Sequence, residues 1–302
     1  MSVDLHIHSN CSDGKMTVEE ILKEATKRGI SALSITDHDS TDCQELAVPL
    51  AEKYHINYIY GLELNISFAH PDYNNSKSVS LDLLAYQYNI NYKPLLDKLK
   101  SLREFRKKRA EMILEKINIE FRIENIPEFT HKDIQEIEDS VDGTYGRPHI
   151  ADYMVQKRIV PNRQKAFDKY LIKCDIPKMP LSLEEASELI KGAGGKLILA
   201  HPNNPRGTSL VGLTGDINKQ HEIIKESMLK YIDGIECWHS SHDKKTTDLY
   251  LSFAMDHNII VTGGSDCHQQ PIIMGSINVP NYVVEQFDIH KTDKLDFCLK
   301  MK

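Results

Sequence analysis

A chain of 302 residues, 40% hydrophobic and 27% charged, can bury a sizeable core as one large α/β domain or two modest ones. Its net charge of -7 argues against wholesale duplex nucleic-acid binding. No run approaches the roughly 18 apolar residues that span a bilayer, and the first residues enter a polar strand rather than an apolar leader. The six cysteines (Cys11, Cys43, Cys174, Cys237, Cys267, Cys298) form no CxxC pair. That spread suits a reducing compartment, expected to be the cytoplasm, and points away from a cysteine-built zinc site.

The first element is Val3-Asp4-Leu5-His6-Ile7-His8. Alternation along a strand sends Val3, Leu5 and Ile7 one way and Asp4, His6 and His8 the other, so two imidazoles project side by side. Neutral imidazole is the commonest metal ligand among side chains. Thr17-Val18-Glu19-Glu20 then has the form of a capping box, followed by Ile21, Leu22 and Ala25 at helical spacing and a stop at Gly29. Ala32 to Thr36 reads as a buried strand, Gln44 to Tyr54 as a helix interrupted by Pro49, and Asn57 to Leu64 as a third strand. Leu81 to Tyr86 is a fourth strand, and Tyr92 to Ile117 a long charged helix on which Arg103, Arg106, Lys107, Lys108 and Arg109 read as a solvated face.

The alternation then lapses into mainly helical pattern up to about Pro180. Ser182-Leu183-Glu184-Glu185 offers a second capping box, and strands follow at Lys196 to Ala200, Gly234 to Trp238 and Ile259 to Thr262, with a helix from about Lys245 to His257. The simplest organisation is a barrel-forming part over 1–95, an inserted helical subdomain over 96–180 and a second barrel-forming part over 181–302. Repeated strand-helix units imply a mainly parallel sheet with functional groups at the carboxyl ends of its strands. The polar residues obey that rule: His6 and His8, Asp37-His38, Glu63, Asp82, Ala200-His201-Pro202, Glu236 and Gly263-Gly264-Ser265-Asp266-Cys267-His268. Histidine with carboxylate suits zinc, manganese or iron more than calcium or copper.

His6-Ile7-His8-Ser9 with Ser12-Asp13-Gly14, Ile35-Thr36-Asp37-His38-Asp39, Gly61-Leu62-Glu63, Leu199-Ala200-His201-Pro202 and Gly263 to His268, in this order, resemble the PHP family of polymerase and histidinol phosphatase-like metal-dependent phosphoesterases. Within it the chain looks most like stand-alone phosphoesterases with an inserted helical subdomain. The resemblance implies a distorted (β/α)7 barrel with two to three divalent ions (manganese, iron or zinc) at its mouth. His6, His8, Glu63 and Asp266 would hold one ion, Glu63 would bridge to a second also bound by His201, and Asp13, His38 and His268 would hold a third. The chain departs from the family at Asp82, which stands where a histidine is usual; it can still ligate, with more charge and hardness. His70 is an alternative donor.

The expected chemistry is hydrolysis of a phosphate ester by attack of a metal-bridging hydroxide, with Glu63, Asp266 and His268 as catalytic groups. His268 and a metal-bound water are the alternative proton donors to the leaving oxygen. Gly146-Arg147-Pro148-His149 resembles a substrate-facing segment of these relatives. Arg147 would grip a second phosphate in a bidentate fork, with His149 and Arg206 beside it. Asp37 and Asp39 would orient imidazoles or cap loops; His239 and His242 would line the pocket or sit in ordinary loop hydrogen bonds. The substrate expected is a small phosphorylated metabolite, favoured as a nucleoside 3',5'-bisphosphate or the 5' end of short RNA. Neither a membrane nor duplex nucleic acid is an expected partner. Alternative readings are a histidinol-phosphate-type phosphatase, an amidohydrolase using a bimetal hydroxide, and a non-catalytic metal-binding module.

Overall fold

The computed structural model describes residues 2–140 and 146–287; Cys298 and the end of the 181–302 segment lie outside them. Eight strands are present among the described residues: β1 (Ser2–Ile7), β2 (Ile30–Ile35), β3 (Asn57–Tyr58), β4 (Gly61–Phe68), β5 (Val79–Tyr86), β6 (Lys196–Leu199), β7 (Gly234–His239) and β8 (Ile260–Gly264). The helices are α1 (Val18–Lys27), α2 (Gln44–Lys53), α3 (Lys93–Glu124), α4 (His131–Asp139), α5 (Arg147–Gln156), α6 (Arg163–Ala166), α7 (Leu183–Gly192), α8 (Ile217–Ile223), α9 (Lys244–His257) and α10 (Tyr282–Glu285). None is long and apolar enough to cross a membrane.

The strands form two ladders, β1-β2-β3 and β4-β5-β6-β7-β8, joined at both ends into a distorted barrel. At one seam Asp266 N–H donates to His6 O at 2.8 Å and His8 N–H to Cys267 O at 3.1 Å. At the other, Glu63 N–H donates to Asp37 O at 3.2 Å and Asp39 N–H to Glu63 O at 2.9 Å. Both seams carry residues of the polar rim, so the contacts that close the barrel also position that rim. Asp4, buried at the first seam, accepts from Ser265 N–H (2.8 Å), the Ser265 hydroxyl (2.6 Å) and Gly275 N–H (2.8 Å).

Two strand expectations need correction. Residues 57–64 do not form one strand: the ladder breaks before Gly61, where the buried Gln44 amide donates to Ile35 O (3.0 Å) and Gly61 O (2.7 Å) and accepts from the Tyr58 hydroxyl (2.8 Å). A side chain thus satisfies the backbone groups that the break exposes. β5 is longer than expected and runs antiparallel to both β4 and β6. Asp82 therefore reaches the mouth from the first half of its strand, not from a carboxyl end.

The capping box of α1 is complete, with Thr17 and Glu20 bonded reciprocally, whereas Ser182 caps α7 without the reciprocal bond. Beyond the barrel, α3 runs for 32 residues to Asn125, whose left-handed backbone ends it. Its far half packs Ile113, Leu114, Ile117 and Phe121 against Phe129, Ile150, Met154 and Tyr170, a hydrophobic cluster separate from that of the barrel.

Gly264 is where β8 presses on β1: a Cβ there would sit 2.4 Å from His6 N and Cβ. Gly264→Ala is expected to destabilise the protein by about 2 kcal/mol, the usual scale of overpacking, read as a lower urea midpoint at constant slope.

Candidate metal centre

All nine sequence-predicted donors (His6, His8, Asp13, His38, Glu63, Asp82, His201, Asp266 and His268) converge at the mouth in overlapping groups. These are His8/Asp13/His38/His268, His6/His8/Asp266, His6/Glu63/His201 and His38/Glu63/Asp82, with the donor atoms of each group within 4.8 Å of one another. His6 Nε2 is 3.4 Å from both Glu63 Oε1 and Asp266 Oδ1. His8 Nε2 is 3.3 Å from Glu63 Oε2 and 3.2 Å from Asp266 Oδ1. Glu63 thus lies between both rings of the first strand, and its two oxygens also face His201 Nε2 (3.4 Å) and His38 Nδ1 (3.1 Å). Asp13 completes the outer group, with Oδ1 3.2 Å from His268 Nε2 and Oδ2 3.8 Å from His38 Nε2.

Buried partners hold this arrangement. Asp37 accepts from Ser9 N–H (2.8 Å), the Ser9 hydroxyl (2.6 Å) and the Ser12 hydroxyl (2.6 Å), which pins the loop carrying Asp13; its role is loop capping, and Asp39 pairs with Arg106. Glu236 accepts at Oε1 from His6 Nδ1 (3.0 Å) and at Oε2 from His201 N–H (2.8 Å). Asp266 and His201 sit at positive φ, +55° and +24°, conformations that non-glycine residues adopt at a cost and that cluster at functional sites.

A buried polar atom without a partner costs free energy, and here such atoms concentrate in the nest: His6 Nε2, both nitrogens of His8 and Glu63 Oε1. Imidazole and carboxylate atoms left open and converging on common points fit divalent cations of the zinc, manganese or iron type. In the metal-free protein, protons take the cations' place. Burial alone would lower the His201 pKa, but the facing Glu63 carboxylate and the charges of Asp266 and Asp82 lift it to about 9. Burial also opposes the charge on His6 and His8, yet Glu236, Glu63 and Asp266 hold His6, and Asp266, Glu63 and Asp13 hold His8, well above the ordinary value. Burial would raise Asp13, Glu63 and Asp266, and the facing imidazoles hold all three well below it. Metal binding is therefore expected to release protons, measurable at pH 7 as acidification of a weakly buffered solution on adding manganese. His201, with a folded pKa raised above its unfolded 6.5, stabilises the metal-free fold below pH 6.5 and loses that contribution as pH rises through about 9. The melting temperature of chelated protein is expected to fall across that interval.

Asp82 is bonded on both oxygens, accepting at Oδ1 from Asn65 Nδ2 (2.5 Å) and at Oδ2 from the Thr208 hydroxyl; its Oδ2 is 3.9 Å from His201 Nε2. Burial, then the charge of Glu63, raises its pKa. His70 lies apart from every metal-capable group among the described residues, its Nδ1 accepting from Asp72 N–H at 3.3 Å.

Against the nest opens a cavity of about 410 Å³ lined by Asp13, His38 and Asp82 together with Arg106, Arg109, Arg147, His149, Lys178 and Arg206. Arg147 Nη1 pairs with Asp175 Oδ2 at 2.8 Å, and Arg109 takes the other oxygen. Asp175 thereby holds two guanidiniums on one wall, while Arg147 also lies over the Phe167 ring at 5.7 Å. His149 Nδ1 accepts from Gly146 N–H at 3.0 Å, and burial lowers its pKa to about 4, so it stands neutral with its proton on Nε2. The solvated-face reading of 103–109 fails for Arg106 and Arg109, which α3 turns into the cavity three residues apart. Lys178, whose ammonium donates to Asn65 Oδ1 at 2.7 Å, carries no motif. A second groove of about 280 Å³ shares Asn65, Arg109, Arg147, Lys178, Met179 and Thr208 with the first and adds Ser67, Ser78 and Ser80.

Fold and site define a metal-dependent hydrolase of phosphate esters. The family model described as "PHP domain" matches residues 4–177, more than half of the chain, and the chain belongs to that family. It is 27% identical over 278 residues to the 3',5'-nucleoside bisphosphate phosphatase of Chromobacterium violaceum, covering 88% of this chain and 87% of that one. It is 25% identical over 279 residues to the 5'-3' exoribonuclease Rnm of Escherichia coli, covering 88% and 85%. Among solved structures, a candidate metal-dependent phosphoesterase from Bifidobacterium adolescentis superposes with a TM-score of 0.78 at 28% identity, over 94% of each chain.

Proposed function

We propose that this protein hydrolyses phosphate esters of nucleotides that carry two phosphates, a nucleoside 3',5'-bisphosphate or the 5' end of a short RNA. The observation that carries the reading is a single cavity whose lining joins Asp13, His38 and Asp82 of the carboxylate-imidazole nest to a cluster of guanidinium and ammonium groups. A substrate with one phosphate needs only the nest. The similarity to a bisphosphate phosphatase and to an exoribonuclease supports a substrate that uses both.

In this reading His6, His8, Glu63 and Asp266 would hold one cation, Glu63 and His201 a second with Asp82 beside it, and Asp13, His38 and His268 a third. Manganese, iron and zinc are the ions this donor set suits. The chemistry such ions supply is activation of water and neutralisation of charge on phosphoryl oxygens. The chain's own residues do the rest. Arg147 and Arg109 bind the non-scissile phosphate in a fork fixed by Asp175, Arg106, Lys178 and Arg206 add positive charge around it, and His149 offers a neutral N–H donor to a phosphoryl oxygen. Leu102, Phe105 and Phe167 give the nucleoside an apolar wall, and the serine-lined second groove leaves room for further nucleotides of an RNA. The 96–180 segment, in this reading, is the inserted subdomain that supplies Arg106, Arg109, Arg147 and Lys178. The spread of the cysteines, with no CxxC pair among them, fits a reducing compartment such as the cytoplasm.

The test is phosphate and nucleotide release by manganese-loaded protein from nucleoside 3',5'-bisphosphates, 5'-monophosphates, short 5'-phosphorylated RNA and histidinol phosphate. A kcat/KM for bisphosphate or RNA at least about tenfold above that for monophosphates, some 1.4 kcal/mol, is expected. Equal rates would remove the second-phosphate wall from the account, and hydrolysis of an amide with no phosphate ester turned over would overturn the reading.

A further inference from the structure

His239 ends β7, and its ring lies inside the barrel, buried, with its centroid 5.0 Å from that of His201 and 6.1 Å from that of His6. The surroundings of its two nitrogens differ. Nδ1 receives Ser241 N–H at 3.1 Å and lies 2.7 Å from the Ser241 hydroxyl. A backbone N–H only donates, so Nδ1 accepts, and the neutral ring carries its proton on Nε2. That Nε2 is buried without a hydrogen-bond partner and faces Asp266 Oδ2 at 3.5 Å.

Two of the rings read as ligands have the opposite polarity. His6 Nδ1 faces the Glu236 carboxylate at 3.0 Å, and His268 Nδ1 faces the Asp266 carbonyl at 3.0 Å. Both acceptors place the proton on Nδ1 and leave the Nε2 lone pair for a cation. His239 groups with His6 and Glu236 by distance, yet a protonated Nε2 cannot coordinate.

We infer that His239 is a positioning residue whose Nε2–H donates to Asp266 Oδ2. That bond leaves Oδ1, which lies 3.4 Å from His6 Nε2 and 3.2 Å from His8 Nε2, turned toward the cation those rings would share. Ser241 sets the tautomer, His239 orients the carboxylate, and the carboxylate meets the metal. The inference rests on the proposed metal nest but not on the substrate, so a measurement of metal affinity separates its failure from that of the phosphoesterase reading.

The experiment titrates the metal-free full-length protein with manganese against a fluorescent chelator. His239→Gln keeps an N–H donor and is expected to bind within about threefold of the parent, whereas His239→Leu is expected to lose about 10- to 100-fold, the usual cost of removing a ligand's supporting partner. Two-bond proton-nitrogen correlation spectra of the zinc-loaded parent are expected to show His239 protonated at Nε2, a readout that needs no variant to fold. Parental affinity in the leucine variant, equal losses in both variants (the mark of a direct ligand), or a proton on Nδ1 would each overturn the inference.

Discussion

His8→Ala is expected to lower phosphate-ester turnover by about 10³-fold or more, at least some 4 kcal/mol of transition-state stabilisation, with loss of bound metal. His8 stands where two donor groups overlap, with Asp266 and His6 on one side and Asp13, His38 and His268 on the other. Neither of its nitrogens has a hydrogen-bond partner although the ring is fully buried. Its removal therefore withdraws a contact from the inner nest and opens the outer one, where its ring packs 4.1 Å from that of His268 and 4.8 Å from that of His38. Metal content by elemental analysis, beside a melting curve of the chelated protein, separates the two ways of failing. An alanine variant that folds, keeps its metal and turns over at near-parental rate would remove His8 from the centre.

For Arg147→Ala, the expected result is a KM about tenfold higher for a nucleoside 3',5'-bisphosphate, the scale of one charge-assisted hydrogen bond lost, with kcat within about twofold. Mononucleotides should change little. Asp175 shapes this expectation because it anchors Arg109 as well: removing Arg147 leaves Asp175 on Arg109 and weakens one tine of the fork, whereas Asp175→Ala would free both guanidiniums and should raise KM further. An equal KM increase for singly and doubly phosphorylated substrates would contradict the second-phosphate role.

The nest was legible in the sequence because barrel geometry maps simple spacing onto space. His6 and His8 sit two residues apart on a strand and share a face, and His38, His201, Asp266 and His268 each follow the carboxyl end of a strand, whereas Glu63 sits near the start of β4. His239 was harder to see. It lies three residues from Glu236, and strict alternation would send the two side chains to opposite faces. The ladder of β7 with β8 shifts register between Glu236 and Trp238, and such an irregularity re-aims the residues after it, so both arrive inside; one sequence does not announce that slip. The break at Gly61 was hidden for a related reason, since it depends on the Gln44 amide arriving from another element. Arg106 and Arg109 had helical spacing but stand in a helix charged on all sides, where periodicity does not say which face meets the barrel. Lys178 lies in irregular chain with no period to read.

The central claim is that water attacks phosphorus at a metal centre built from these residues. Hydrolysis of a nucleoside 3',5'-bisphosphate in oxygen-18 water by the manganese-loaded protein tests it most directly. One labelled oxygen is expected in the released inorganic phosphate, none in the nucleoside product, and no release once a chelator has stripped the metal. Label in the nucleoside hydroxyl, or undiminished release from stripped protein, would contradict it.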